Sequence, residues 1–229
     1  MFFQHEVISN TKLNSKFRSI RLKSNSKNFS FKTGQFVLMK VGDNISRSYS
    51  IASEPTELPY WNMFIDITPG GPGTTFLKSL KKGQTVETSE PKGQFILSRK
   101  MNNYIFGATG CGIAPFIPMI TELLKNTEKK VSLVWGLRFN KDIALTKMLN
   151  SLSTTYPNFS FEIVLSKPDK NWGGKGGHAT FSIVQKAKKL DKKTTGIYLS
   201  GSREFVKEST HELDKEKFPL KKIYFEACY

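Results

Sequence analysis

The first 98 residues alternate between short apolar runs and turn residues. Apolar and polar side chains alternate over 17–22, a second run extends from Gly34 to Met39, and a third covers 61–68. Period-two alternation between turns is typical of antiparallel strands. One short helix is predicted from Thr74, after a stretch rich in proline and glycine. We therefore expect an antiparallel β-barrel here, with a sandwich as the related alternative.

From about residue 102 the pattern changes to strands that alternate with helices. Apolar strands are predicted at 104–106, 131–135, 161–165, 196–200 and 223–226, and helices at 113–124, 143–152, 181–190 and from 204. This alternation predicts a doubly wound α/β domain built on a parallel sheet. The predicted domains are residues 1–98 and 99–229.

Charge narrows the choice of partners. Lys and Arg number 35 against 19 Asp and Glu, which gives a formal net charge of +16. A solvated, lysine-rich surface is the simplest explanation, attraction of an acidic protein partner is the second, and nucleic-acid binding is the third. Because no zinc-finger, helix-turn-helix or RNA-recognition signature accompanies the lysines, no nucleic-acid partner is expected.

Other features of the composition exclude several classes of protein. No apolar run reaches the ~18 residues that span a bilayer, and the N-terminus lacks the pattern of a secretory signal. The two cysteines, Cys111 and Cys228, are too few for a disulfide framework or a four-cysteine iron–sulfur cluster. His5, His178 and His211 lack metal-ligand spacing, so no metal is expected. We expect a cytoplasmic monomer.

A polar run, Arg47-Ser48-Tyr49-Ser50, lies in one predicted strand. Strand geometry places Arg47 and Tyr49 on one face and the two serines on the other. The arginine fork suits a phosphate, and the tyrosine ring can pack on a flat ring system. By itself the run is also compatible with an ordinary strand.

Two glycine-rich turns precede helical segments. Residues 107–115 (GATGCGIAP) follow the first strand of the second half, and residues 70–75 (GGPGTT) lie in the barrel half. Glycines allow close approach of a phosphate, and the amides at a helix start bind its charge. Each turn could also be purely structural.

These motifs, in this order, resemble the ferredoxin–NADP reductase superfamily of flavoenzymes over nearly the whole chain. Residues 47–50 are similar to its flavin-binding Arg-x-Tyr-Ser/Thr motif, and residues 71–74 to its flavin phosphate loop. Residues 90–95 (EPKGQF) resemble the run that ends the barrel, and 107–115 the pyridine-nucleotide loop. Two later runs, 135–138 (WGLR) and 199–202 (LSGS), resemble the next strand end and the late Cys-Gly motif.

The resemblance implies roles for the flavin residues. Arg47 would pair with the pyrophosphate, Tyr49 would lie against the isoalloxazine, and Ser50 would bond near N5, with Ser48 in the same motif. Phosphate would be held by the loop and helix start, formed by Pro72, Gly73 and Thr74. The resemblance favours FAD over FMN.

It also implies roles around the nicotinamide dinucleotide. Thr109, Gly110, Gly112 and Gly201 would approach this molecule. Ser200 stands where the family has a cysteine near the hydride-transfer site. Glu226 resembles an acid beside the flavin in plant-type members, and Tyr229 resembles a C-terminal aromatic that some members stack over the flavin.

The choice between NADPH and NADH stays open. Ser166-Lys167 replaces the Ser-Arg pair that binds the 2′-phosphate in NADP-using relatives, and Arg138, Lys167 and Lys175 could form a basic pocket. The run 165–174 also resembles NADH-using oxygenase reductases. NADPH is favoured slightly.

The resemblance therefore predicts an FAD-dependent reductase of an acidic ferredoxin or flavodoxin, fed by NADPH with NADH possible. The alternative within the same chemistry is an NADH-dependent reductase of an oxygenase or of another acceptor. The alternative from another class is a binding module, either a basic nucleic-acid binder or a flavin-binding subunit without turnover.

Overall fold

The computed structural model describes residues 2–228, and of Cys228 only the backbone. The chain forms two compact units. The first unit consists of the residues up to Leu97 together with a short later segment, Ala114–Met119. The second unit consists of Ser98–Ile113 and the residues from Ile120 onwards. Among the described residues, no helix is both long and apolar enough to cross a bilayer.

The first unit is a six-stranded antiparallel sheet with one helix. Its strand order is β4-β3-β6-β1-β2-β5. The Ala52 amide bonds to the Asn62 carbonyl at 2.7 Å, so the segment after β4 meets β5 and the sheet curls into a barrel. The elements are β1 (Phe2–Lys12), β2 (Phe17–Ser24), β3 (Phe36–Gly42), β4 (Ile45–Ser50), β5 (Tyr60–Asp66), α1 (Pro72–Ser79) and β6 (Thr85–Ser89).

Register fixes which β4 side chains face the barrel core. Val37 and Met39 of β3 are buried in that core and pair with Tyr49 and Arg47 of β4. Opposed residues of antiparallel strands share a face, and Tyr49 packs against the same apolar cluster. Arg47 and Tyr49 therefore share one face, as the alternation predicted; Tyr49 packs on the core from this face, whereas Arg47 is exposed.

The second unit is a parallel six-stranded sheet with helices. Its strand order is β10-β9-β8-β7-β11-β12. The elements are β7 (Asn103–Thr109), α2 (Phe116–Leu124, of which only the part from Ile120 belongs to this unit), β8 (Lys130–Leu137), α3 (Thr146–Thr155), β9 (Phe159–Leu165), β10 (Lys175–Gly176), α4 (Ala179–Lys188), β11 (Thr195–Ser202), α5 (Arg203–Lys215) and β12 (Ile223–Cys228). Because the strand order reverses between β7 and β11, the crevice for a ligand is expected at their carboxyl ends.

Two different apolar layers cover this sheet. One face carries a cluster that includes Ile105 and Leu199 together with Ile183 of α4 and Phe205 of α5. The other face carries stacked aromatic rings, among them Tyr198 and Tyr224 with centroids 4.6 Å apart. Burial of both faces explains why these strands read as continuous apolar runs.

The barrel and the doubly wound sheet are as predicted, but several element boundaries differ. Helix α1 begins at Pro72 rather than Thr74, because proline suits the first helical turn. Helix α3 begins at Thr146, after Leu145 in a left-handed conformation, rather than at residue 143. Strands β1, β6 and β10 were not predicted.

Candidate functional site

The two flavin motifs of the sequence meet inside the first unit. A Cβ atom built on Gly73 would lie 2.5 Å from the Tyr49 hydroxyl and 3.1 Å from Cγ of Arg47. The first turn of α1 therefore rests directly on these two β4 side chains. A residue larger than glycine would therefore require either the helix or these two side chains to shift.

Helix α1 is anchored at both ends. Gly71 is its N-cap, and the Thr74 hydroxyl donates to the Gly71 carbonyl at 2.9 Å. At the other end, the Asn10 side-chain amide donates to the carbonyls of Leu77 and Leu80 at 2.8 and 3.0 Å. These bonds hold the N-terminus of α1, with its amides and positive dipole end, beside Arg47.

The electrostatics of this cradle, formed by Arg47, Tyr49 and Pro72–Thr74, favour an anion. Arg47 is exposed and donates to the Ser46 carbonyl at 2.9 Å. Burial raises the pKa of Tyr49 to about 12, although the Arg47 charge opposes this shift, so its hydroxyl stays neutral at physiological pH. Ser48 is exposed and Ser50 half-buried on the opposite face of β4.

A second cluster lies at the carboxyl ends of β7 and β11. A Cβ on Gly112 would lie 2.2 Å from the Ser200 carbonyl oxygen, and one on Gly201 would lie 2.0 Å from the Thr109 hydroxyl. The two loops thus interlock through glycines. Gly110 has φ +54 and open space around its Cβ position, which leaves room for a ligand against the backbone.

Hydrogen bonds fix the shape of this crevice. The Trp135 indole donates to the Gly110 carbonyl at 2.9 Å, and the Ser202 amide donates to the Thr109 hydroxyl at 3.2 Å. Ser202 also caps α5 by accepting from the Phe205 amide. The N-terminus of α5 therefore lies beside Thr109. A 3-10 turn over Gly110–Ile113 separates β7 from α2, where the sequence predicted a helix that opens directly at the glycines.

The residues expected near the hydride-transfer site differ in how deeply they are buried. Ser200 is completely buried and pairs in register with Glu226 on β12. In-register residues of parallel strands share a face, so these two side chains are neighbours. Glu226 is half-buried. Tyr229 lies outside the described residues.

Two of the three basic residues expected at a 2′-phosphate lie side by side. Arg138 follows β8, and Ser166 and Lys167 follow β9; all three are exposed. The amides of Ser166 and Lys167 bond to the carbonyls of Leu137 and Arg138 at 3.0 and 2.8 Å. The Arg138 guanidinium lies over the Phe139 ring.

Lys175 is engaged elsewhere. Its ammonium lies 2.7 Å from Glu162, a residue near the middle of β9. Burial raises the pKa of Glu162, but hydrogen bonds from Lys175 and Ser182 and the charges of Lys175 and Lys186 outweigh it and leave the pKa below its ordinary value. Glu162 is thus an ionised partner that turns Lys175 back along the strand.

Two side chains of the loop region after β9 have contacts that the sequence did not predict. The loop between β9 and α4 is shaped by Trp172, whose indole donates to the Lys175 carbonyl at 3.0 Å, and by Asn140, which accepts from the Asp169 amide at 2.8 Å. Only the tertiary structure shows what these side chains reach. Among the described residues, no cluster of three or more His, Cys, Asp or Glu has the arrangement of a metal site.

The donor sets fit two phosphate-bearing cofactors. The first unit offers an arginine, a helix N-terminus and a hydroxyl around a glycine seat, and the second offers an open glycine turn, a hydroxyl and a helix N-terminus. Both are chemical environments that bind pyrophosphate.

Comparison with known proteins identifies both units. A family model described as an oxidoreductase FAD-binding domain matches residues 4–96, and one described as an oxidoreductase NAD-binding domain matches 106–211. FAD and a nicotinamide dinucleotide are therefore the cofactors, as expected.

Curated relatives vary in their acceptors. The chain is 32% identical over 161 residues to NADH-cytochrome b5 reductase 1 of Debaryomyces hansenii, covering 69% of this chain and 57% of the relative. It is 28% identical over 175 residues to ferredoxin–NADP reductase B of Sorangium cellulosum, covering 73% and 71%. It is 26% identical over 203 residues to the anthranilate 1,2-dioxygenase electron transfer component of Acinetobacter baylyi, covering 87% and 59%. The chain thus spans between 57% and 71% of the length of these relatives.

Solved structures share the fold. A ferredoxin NADP+ reductase from Neisseria gonorrhoeae with bound FAD and NADP matches with a TM-score of 0.86 at 20% identity, covering 100% of this chain and 99% of that one. Amycolatopsis cytochrome P450 reductase GcoB matches with a TM-score of 0.90 at 22% identity, covering 99% and 69%. The two family models together match most of the chain, which belongs to the ferredoxin–NADP reductase superfamily of FAD- and NAD-binding oxidoreductases.

Proposed function

We propose that this chain transfers reducing equivalents from a nicotinamide dinucleotide, through FAD, to a small acidic redox protein of the ferredoxin or flavodoxin class. The observation that carries the proposal is the convergence of distant motifs: Arg47 and Tyr49 meet Gly73 in one unit, and Thr109 meets Gly201 in the other. When bound, FAD supplies the chemistry, which is to accept a hydride and release electrons singly.

The chain's own residues would bind the flavin and the nicotinamide dinucleotide and orient them. The Arg47 guanidinium and the first amides of α1 would hold the flavin pyrophosphate, with Thr74 fixing the loop, while the Tyr49 ring would support the flavin. Ser50 would donate at the reactive edge. Gly110 and Thr109 would admit the nicotinamide dinucleotide, and the buried Ser200 beside Glu226 would position its reactive ring.

NADPH is proposed as the donor because Arg138 and Lys167 lie together where a 2′-phosphate could be bound. The second candidate, an NADH-dependent reductase of an oxygenase, is favoured by a specific observation. The Lys175–Glu162 ion pair removes one of the three expected cations from that place.

Anaerobic reduction tests the proposal. The purified protein should be yellow, should bleach with NADPH faster than with NADH, and should release FAD on extraction. A colourless protein that takes up no added flavin would contradict the reductase function, and faster bleaching by NADH would contradict the choice of donor only.

A variant pair tests the cradle. Arg47→Ala should lower bound flavin strongly, whereas Arg21→Ala, which removes another exposed arginine of the same sheet, should not. Unchanged flavin content in Arg47→Ala would show that Arg47 does not hold the cofactor.

A further inference from the structure

The positive charge of the second unit is concentrated at one edge of its sheet. The four segments 99–102, 125–130, 186–194 and 212–222 lead into strands β7, β8, β11 and β12, so all lie at the amino-terminal edge. They contain 14 lysines and arginines and five acidic residues. The rest of the unit contains eight basic and seven acidic residues and is nearly neutral. We name these four segments the lysine edge.

Helix ends explain only part of this charge. Helices α2, α4 and α5 end at the lysine edge, and a helix C-terminus carries about −0.5 charge that attracts lysine. Lys192 serves that role by donating to the Glu216 carbonyl at the end of α5, whereas Lys188 pairs with the Glu216 carboxylate at 2.7 Å. Three such ends amount to about −1.5 charges, far less than the excess of nine positive charges on the lysine edge.

The lysine edge also borders a recess whose lining is mostly apolar. Its volume is about 740 Å³. It is lined by the apolar Val131 and Phe159 and by charged residues, namely Glu128, Lys130, Lys186 and Lys189. In the segment 212–222 of the lysine edge, Leu220 is 54% exposed and is followed directly by two lysines. Lysines around apolar surface suit a ligand that is both anionic and apolar.

We propose that the lysine edge docks on an anionic lipid bilayer. Lysines on several separate segments can each attract headgroup phosphates without a matched geometry, and Leu220 and the recess can accept apolar parts of the lipid. Nucleic-acid sites favour exposed aromatic rings and arginine forks, whereas Phe159 is buried and thirteen of the fourteen cations are lysines. The nicotinamide loops lie at the other edge of the sheet, roughly 23 Å away along the eight-residue strand β8, so bound protein keeps that edge open.

Vesicle sedimentation of the full chain tests the proposal. At about 0.15 M salt the protein should bind vesicles of phosphatidylcholine with one-third phosphatidylglycerol and should not bind phosphatidylcholine alone. The triple variant Lys189→Gln, Lys193→Gln, Lys221→Gln should bind about 100-fold more weakly, since each lysine near the surface contributes about a factor of five.

A control variant with the same loss of net charge tests whether the position of the lysines matters. Lys147→Gln, Lys170→Gln, Lys207→Gln removes three exposed lysines that lie away from the lysine edge, and it should bind like the parent. Equal losses in both triple variants, or no binding to the anionic vesicles, would overturn the proposal. So would tighter binding to duplex DNA or polyglutamate than to vesicles at equal anionic charge, which would assign the edge to another partner.

A further variant tests the apolar contribution. Leu220→Ser should weaken vesicle binding but leave polyglutamate binding unchanged. An equal effect of this substitution on vesicle and polyglutamate binding would contradict docking on lipid.

Discussion

At the scale of single residues, Gly73 decides whether α1 can rest on β4. Its Cβ position lies 2.5 Å from the Tyr49 hydroxyl, which is a terminal atom, and 3.1 Å from the Arg47 stem. Gly73→Ala should lower the free energy of unfolding by about 1–3 kcal/mol through overpacking and should reduce bound flavin. Chemical denaturation and the flavin-to-protein absorbance ratio measure the two effects.

Tyr49→Phe removes the colliding atom but keeps the ring. The double variant should therefore recover most of the stability that Gly73→Ala loses. Gly71→Ser is the control, because no atom lies within 4 Å of a Cβ there and serine is a good N-cap. A Gly73→Ala protein with parental stability and full flavin would contradict the predicted contact.

Glu162 is predicted to affect the choice of nicotinamide through Lys175. Glu162→Gln removes the charge that holds the Lys175 ammonium at 2.7 Å, which leaves Lys175 available to the 2′-phosphate. The ratio of kcat/KM for NADPH over NADH should rise several-fold, mainly through KM for NADPH. Glu122→Gln, which breaks the ion pair with Arg99 in the same unit, is the control. An unchanged ratio in Glu162→Gln would mean that Lys175 does not reach the phosphate.

At the scale of elements, the loops after β7 and β11 form one interlocked piece. Gly112→Ala would bring a Cβ within 2.2 Å of a backbone oxygen, which cannot move as a side chain can. A loss of about 3 kcal/mol or more is expected, together with weaker nicotinamide binding. Gly173→Ala, at an open position, should change neither quantity. Intact dinucleotide affinity in Gly112→Ala, measured by titration, would show that the interlock does not shape the crevice.

His5 links three strands of the barrel and makes their packing sensitive to pH. On β1 it accepts from the Trp61 indole of β5 at 3.2 Å, and its other nitrogen is 2.8 Å from the Thr88 hydroxyl of β6. Burial lowers its pKa to about 4.

Because the unfolded chain protonates this group near 6.5 and the folded chain only near 4, its contribution is complete above about pH 6.5 and is lost as pH falls toward 4. The loss is about 3 kcal/mol. His5→Gln should lack this part of the pH dependence in denaturant titrations at pH 7 and pH 4.5. Parallel curves for parent and variant would contradict the shift.

Elements with a local hydrophobic pattern could be predicted from the sequence, whereas elements that depend on tertiary contacts could not. The alternation at β4 and the apolar runs of β7, β8 and β11 predicted both sheets. Strand β10 has two residues and exists because it pairs with β9. The Gly73–Tyr49 and Gly112–Ser200 contacts join distant parts of the chain, so motif order suggested them but could not supply their geometry. The Lys175–Glu162 pair had no such signal.

At the scale of the whole molecule, the net charge of +16 should govern encounters with acidic partners. Reduction of an acidic ferredoxin or flavodoxin should slow markedly as salt rises from about 0.05 to 0.5 M, because screening shortens the reach of the field. Reduction of an uncharged quinone should hardly change over the same range. Equal salt dependence for both acceptors in stopped-flow assays would remove charge steering as the explanation.

The lysine edge has a consequence for how the second unit moves as well as for what it binds. With nine excess charges at one end of its strands and about one elsewhere, the unit is a strong electric dipole directed along the sheet. Near an anionic surface the unit experiences a torque before contact. Its rotational diffusion is therefore biased, and it reaches the surface with the lysine edge first. The glycine loops at the opposite edge would then be presented to solution in most encounters, which converts a random search into a directional one.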